Sequence, residues 1–184
     1  MLEIGCGTGL FLAFLEDAGV TDFVGIDSDP KVLEYMHDTL RKNIQIVEIF
    51  EYLSTVKGAR KFDRVVLIDV LEHFSPGEAV SLLQKLKPLL NEDGGIIVRV
   101  PNLASPWGHQ WQYHDLTHKA GYTSGSLRQL GLAAGYECKV HGYRRGNPRK
   151  QIIENLFHSL IGKLVTEPPD IWSAANIGFF RPKI

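Results

Sequence analysis

Leu2-Glu3-Ile4-Gly5-Cys6-Gly7-Thr8-Gly9 is the stretch that decides how this chain folds. Met1 to Ile4 reads as the end of a buried strand, and Gly5 to Gly9 as a tight loop. Glycine tolerates left-handed backbone and carries no Cβ, so a turn of this kind brings main chain close to a ligand, near a helix N-terminus. Leu10 to Ala18 follows with Phe11, Leu12 and Leu15 at helical spacing, and Gly19 stands where a helix stops. The dinucleotide fingerprint G-x-G-x-x-G needs its third glycine at position 10, which is Leu10; the glycine falls at position 9 instead. That departure counts against a nicotinamide-dependent oxidoreductase.

Working outward, short apolar runs alternate with helical patterns, the signature of βαβ units around a parallel sheet. Phe23 to Ile26 is a second buried strand ending in Asp27. Asp29 and Pro30 are read as the cap and first residue of a helix reaching Arg41, and Ile44 to Ile49 as a third strand. Phe62 to Asp69 is a fourth, apolar enough for burial on both faces. Glu78 to Leu90 is a helix, and Gly94 to Pro101 a fifth strand. Asn102 to Ser124 reads as a long connection, and connections of that length are usually functional or disordered. Ser126 to Ala134 is a short helix, Tyr136 to Tyr143 a strand, Gln151 to Leu164 a helix and Ile171 to Arg181 a closing strand. The fold class expected is α/β, doubly wound, with seven strands in one domain over residues 1–184.

Composition narrows the function classes. The 184 residues carry a formal net charge of -1, which makes no electrostatic case for nucleic acid or an acidic membrane surface as partner. No apolar run approaches the roughly 20 residues that span a bilayer, and no basic n-region followed by an apolar h-region opens the sequence, so no signal peptide is expected. Two cysteines, Cys6 and Cys138, fit a reducing compartment, so a cytoplasmic location is expected.

Asp27 lies 18 positions after Gly9 at a strand end, where a carboxylate can accept from both hydroxyls of a ribose. Taken with LEIGCGTG and with Phe62 to Phe74 (FDRVVLIDVLEHF), it makes the chain resemble the class I S-adenosylmethionine-dependent methyltransferases over roughly Met1 to Tyr143. The resemblance implies a mostly parallel, Rossmann-like sheet with an antiparallel last strand. It implies S-adenosylmethionine as cofactor, with Gly5, Gly7 and Gly9 passing its methionine part and Asp27 holding its ribose. Glu3 matches the acid that supports the loop and the methionine amine. Glu48 is the better match for the acid near the adenine, with Glu51 as the alternative. Asp69 and Val70 match the residues beside the methionine moiety. Such domains have helices ahead of the first strand, so the chain is read as lacking that N-terminal part, and the apolar surface left open makes a homodimer one candidate assembly.

Asp69-Val70-Leu71-Glu72-His73 is similar to the DVLEH stretch of the small-molecule branch, and the Asn/Asp-Pro-Pro-aromatic motif of many nitrogen-methylating enzymes is absent. The connection after the fifth strand holds Trp107, His109, Trp111, Tyr113, His114, Asp115, His118 and Tyr122. Its YHDLTHKAGYTSGSLRQLGLAAGY resembles methyltransferases encoded with sugar and polysaccharide biosynthesis genes, where this loop faces the acceptor. Methyl transfer to a hydroxyl of a sugar-like or other small molecule is therefore expected. His73, His114 and His118 are the candidate bases, since histidine titrates near neutrality. Three histidines and an aspartate are also metal-ligand types, but a loop does not guarantee ligand geometry, and no metal is expected. Arg144, Arg145, Arg149 and Lys150 form a basic run read as a solvated turn, with a phosphate-bearing acceptor as the alternative. A catalytically inactive binding domain on the same fold stays open, because fold does not establish activity.

Overall fold

The computed structural model describes residues 1–56, 60–143 and 146–183. Arg144 and Arg145 of the basic run lie outside these residues; Arg149 and Lys150 are exposed on the first turn of a helix. In chain order the elements are β1 (Leu2–Ile4), α1 (Leu10–Asp17), β2 (Val24–Asp27), α2 (Val32–Tyr35), α3 (Asp38–Arg41), β3 (Ile44–Ile46), α4 (Ile49–Thr55), β4 (Phe62–Ile68), α5 (Pro76–Leu86), β5 (Leu90–Pro101), α6 (Pro106–Tyr113), α7 (Ser124–Ala134), β6 (Tyr136–Gly142), α8 (Pro148–Leu164) and β7 (Ala175–Pro182).

The strands form one sheet in the order β3-β2-β1-β4-β5-β7-β6. β1 pairs in parallel with β2 and β4, β2 with β3 and β4 with β5, whereas β7 is antiparallel to both β5 and β6. The strand order reverses between β1 and β4. In open α/β sheets, ligands bind at the carboxyl ends of the strands beside such a reversal, and the glycine loop leaves β1 there.

Two apolar clusters hold the layers. The larger joins Leu2, Ile4, Val65 and Leu67 of the sheet to Leu82, Leu83 and Leu86 of α5 and to Leu127 and Leu130 of α7. The smaller holds Leu12 and Leu15 of α1 against Phe23, Met36 and Leu40. Tyr136 is fully buried, and its hydroxyl donates to the Leu83 carbonyl at 2.8 Å, tying β6 to α5.

Several boundaries differ from the sequence reading. The helix expected from Asp29 to Arg41 is two short turns, because Met36 is extended between them; Asp29 caps locally by accepting from Lys31 N–H at 2.9 Å. β3 ends at Ile46 rather than Ile49, since Ile49, Tyr52 and Leu53 share a helical face and start α4. α5 begins at Pro76 behind a Ser75–Glu78 capping box and ends at Leu86, short of Leu90, which opens the long β5. The closing strand starts at Ala175, not Ile171. The connection after β5 is not structureless: Ser105 caps α6 through Trp107 N–H, and Pro106 stands at its first turn.

Candidate functional site

The glycine loop is built as its composition requires. Gly5, Gly7 and Gly9 have φ of 67°, 51° and 78°. Gly5 and Cys6 donate to the Ile26 carbonyl at 2.8 and 3.0 Å, which binds the loop to the end of β2. A Cβ on Gly5 would lie 2.5 Å from Val70 Cγ2, whereas one on Gly7 would meet nothing within 4 Å. Gly5 is therefore fixed by packing, and Gly7 presents bare backbone to open space.

Asp27 ends β2 with its carboxylate turned back to the loop. Oδ2 accepts from Gly7 N–H at 2.8 Å and Oδ1 from Asp29 N–H at 3.0 Å. An ionised carboxylate has about four acceptor sites, so two lone pairs stay free for hydroxyls while the other two shape the loop. Gly5, Asp27, Glu48, Asp69, Val70 and His73 line one cleft of about 350 Å³. Glu48 is on its wall, and Glu51 is not among its lining residues. Glu3 lies in β1 at 3% exposure, and its Oε2 has no hydrogen-bond partner among the described residues. Burial, then the charge of Asp27, pushes its carboxyl up to about 8. A buried, unpartnered acid beside a cleft suits a ligand that brings a cationic group, as the amine of S-adenosylmethionine would. The residues present fit that cofactor.

A second and larger cavity, about 1400 Å³, adjoins the cleft, and Asp69 lines both. Asp69 is the one non-glycine residue with positive φ among the described residues, at 54°. Such backbone costs about 1–2 kcal/mol, and two contacts hold it in place. Its N–H donates to the Arg99 carbonyl at 3.0 Å, and its carboxylate takes both Nε (2.9 Å) and a terminal nitrogen of the Arg99 guanidinium. Arg99 in turn lies 5.5 Å from the ring centroid of Tyr143.

The large cavity is walled by Trp107 and Trp111 of α6, by Phe157 and His158 of α8, and by Trp172. His158 stacks on Trp172 with centroids 4.8 Å apart and planes 9° apart. Its Nε2 accepts from the Trp107 indole N–H at 3.1 Å. Asn102, 1% exposed, donates to the carbonyls of Ile171 and Ser173 at 2.8 and 3.0 Å, pinning the segment before β7 over the cavity. α6 sits tightly here: a Cβ on Gly108 would lie 2.0 Å from the Asn102 carbonyl oxygen.

The three candidate bases do not share one place. His114, which follows α6, and His118 both line the large cavity, whereas His73 lines the cleft and meets His118 edge-on with ring centroids 4.7 Å apart. Asp115 joins them, and each of the three offers a ligand atom within 4.8 Å of the others. Thr117 links the set: its hydroxyl donates to Asp115 Oδ1 at 2.7 Å and lies 2.9 Å from His73 Nδ1. His118 Nδ1 donates to the Gln112 carbonyl at 2.9 Å. Glu72, beside His73 on the turn Leu71–His73, is fully buried, and neither carboxylate oxygen has a partner among the described residues. Burial raises its carboxyl to about 8. Glu72, Arg99, Thr117, His158 and Trp172 were not singled out from the sequence as site residues. Only the DVLEH stretch pointed to Glu72, and nothing in local pattern marked the rest.

A glycine loop at the sheet's reversal, an acid at the end of β2 and an antiparallel β7 define the class I S-adenosylmethionine-dependent methyltransferase fold. The profile of the methyltransferase-domain family matches residues 1–140, so the chain belongs to that family, and its cofactor is S-adenosylmethionine. A SAM-dependent methyltransferase from Archaeoglobus fulgidus superposes with a TM-score of 0.76 at 19% identity, over 97% of this chain and 84% of that one. The plantazolicin methyltransferase BpumL, solved in complex with SAH, gives 0.65 at 16% identity over 99% and 75%. The small RNA methyltransferase HEN1 gives 0.69 at 20% identity, over 100% of this chain and 23% of that one. Among curated proteins, Ribosomal protein L11 methyltransferase of Laribacter hongkongensis (strain HLHK9) is 33% identical over 66 residues, 36% of this chain. That match spans 22% of the relative's length. No helix among the described residues is long and apolar enough to cross a membrane.

Proposed function

We propose that this methyltransferase domain methylates a hydroxyl of a small, ring-bearing acceptor, with a sugar-like metabolite as first choice. The observation that carries this reading is the aromatic cavity adjoining the cofactor cleft, with imidazoles at the junction. Indole and phenyl faces suit the apolar face of a ring, while His114, Asp115 and His118 on the same wall offer hydrogen bonds to its hydroxyls.

S-adenosylmethionine, when bound, supplies a methyl group already activated on a sulfonium sulfur. Gly7 backbone and Asp27 would hold it, and Asp69, fixed by Arg99, lines both the cleft and the acceptor cavity. Trp107, His158 and Trp172 form a hydrogen-bonded, stacked wall of that cavity. With the cofactor bound, the His73–Asp115–His118 cluster would draw off the proton of the acceptor hydroxyl as its oxygen takes the methyl group from the sulfonium. Alignment of this kind supplies about 7–11 kcal/mol in favourable cases, and assisted proton removal about 10²–10⁴-fold.

The test is incubation with labelled S-adenosylmethionine and a panel of sugar, quinone and phenolic acceptors. A labelled ether is expected with wild-type protein. His118→Ala should lower turnover about 10²-fold or more while affinity for S-adenosylhomocysteine stays within a factor of two or so. Label transferred only to a protein or an RNA would overturn the reading.

A further inference from the structure

The cluster at the junction of the two cavities has a form that proton transfer alone does not explain. We propose that His73, Asp115 and His118 hold one divalent transition-metal cation, of the zinc kind, against which the acceptor hydroxyl is placed. The proposal rests on the hydroxyl-acceptor reading for its role, though not for the existence of the site.

The first argument is the donor set. Two imidazoles and one carboxylate that leave other positions open are the ligands such cations favour, whereas magnesium and calcium favour all-oxygen shells. Two ligands about 2.1 Å from one ion are separated by at most about 4.2 Å. One potential donor atom from each residue lies within 4.8 Å of the other two, so a small inward movement, with rotation of the imidazoles where Nε2 must face the ion, completes the set.

The second argument is how the imidazoles are held. His118 Nδ1 faces a carbonyl, which can only accept, so this nitrogen carries the proton and Nε2 keeps its lone pair. The hydroxyl proton of Thr117 is given to Asp115, so His73 Nδ1 is the donor to Thr117, and His73 Nε2 is likewise left with a lone pair. Hydrogen bonds from the second nitrogen to a carbonyl or hydroxyl are the usual means of fixing the tautomer of a metal-ligating histidine. Both histidines have that support.

The third argument is Glu72. It adjoins His73 on the same turn, flanks the same cavity as Asp115 and His118, and is fully buried with both oxygens unpartnered among the described residues. An orphaned carboxylate in a polar cavity is explained by a cationic group close by. Glu72 lines the large cavity with Asp115 and His118 and is not among the residues lining the cleft, so a cation bound at the cluster is the nearer candidate.

A cation held there would lower the pKa of an acceptor hydroxyl placed against it, so that the cluster would assist the loss of that proton to water in the cavity without a free imidazole as base.

The experiment is titration of the chelator-treated chain with Co²⁺, followed by visible absorption and calorimetry, without cofactor or acceptor. One saturable equivalent is expected, displaced by Zn²⁺. His118→Ala and Asp115→Asn should each weaken it by more than about 100-fold, and Thr117→Val, which removes a supporting contact, by about 10-fold. His109→Ala should leave it unchanged. Each variant is checked for unaltered S-adenosylhomocysteine affinity, so a folding defect is separated from a lost ligand. Equal Co²⁺ affinity in wild type, His118→Ala and Asp115→Asn overturns the site. Absence of saturable binding, with methyl transfer to a hydroxyl undisturbed by chelator, overturns it too while the proposed function stands.

Discussion

Glu3→Gln replaces a buried acid by its neutral isostere, and the pH dependence of the result follows from the structure. Glu3 is 3% exposed, with its ordinary value of 4.5 raised to about 8. Below 4.5 the folded and unfolded chains both carry this proton. Between 4.5 and 8 the unfolded chain has released it and the folded chain has not, so stability falls as pH rises. Above 8 the folded chain bears the full cost of a buried charge. At about 1.4 kcal/mol per pH unit, the rise is worth at most about 5 kcal/mol. Urea denaturation of wild type and Glu3→Gln at pH 5, 7 and 9 isolates this contribution, since other titrating groups cancel in the comparison. The variant should gain on wild type by several kcal/mol between pH 5 and 9, with an unchanged m value. Parallel stability curves would refute the assignment of an uncompensated acid to β1. Saturating S-adenosylhomocysteine should shrink the difference, because its amine compensates the carboxylate; binding at pH 7 would then release a proton, seen as a buffer-dependent calorimetric enthalpy.

Three further outcomes are expected. Asp27→Ala should weaken S-adenosylhomocysteine binding by about 1.5–3 kcal/mol in calorimetry, since it removes an ionised acceptor and frees Gly7 N–H. Gly5→Ala should lower the melting temperature clearly, by overlap with Val70 added to left-handed backbone, whereas Gly7→Ala, strained by its backbone alone, should cost less stability while weakening cofactor binding; equal effects on both readouts would contradict the packing. Gly108→Ala should displace α6 and reduce methyl transfer while cofactor affinity stays intact, which a pair of binding and turnover assays checks.

What could be read from the sequence follows from how far each signal reaches along the chain. The glycine loop, the acid ending β2 and the apolar runs of β1, β2 and β4 are local patterns, and each stands where it was expected. α6 was missed because Trp107-Gly108-His109-Gln110-Trp111-Gln112 has no apolar stripe; Ser105-Pro106 ahead of it was a legible start signal. Ile49, the first residue of α4, reads as the end of β3 because it continues the apolar alternation from Ile44, and the rest of α4 has no stripe clear enough to mark it before packing on α5 is known. The histidine cluster lay beyond local pattern altogether. His73 and Thr117 are 44 positions apart, and only the return of the chain across β5 and α6 brings them into contact. Among the loop's histidines, nothing local separates His118 from His109 or His114.

The stretch from Thr117 to Tyr122 is fastened along its length. Thr117 meets His73, Lys119 and Ala120 donate to the Glu72 carbonyl at 2.8 and 3.1 Å, and Tyr122 bridges to Asn102. The opposite wall is different: α8 has no fully buried residue, and Ile153 and Phe157, which line the cavity, stay largely open. On the proposed reading, the fastened wall would hold the reacting groups and the loosely seated wall would judge the shape of the acceptor. For anyone wishing to retarget the enzyme, this means libraries belong on α8 and the outer turn of α6. Exchanges at Ile153, Phe157 or Trp111 can re-cut the acceptor space while the reacting groups keep their positions.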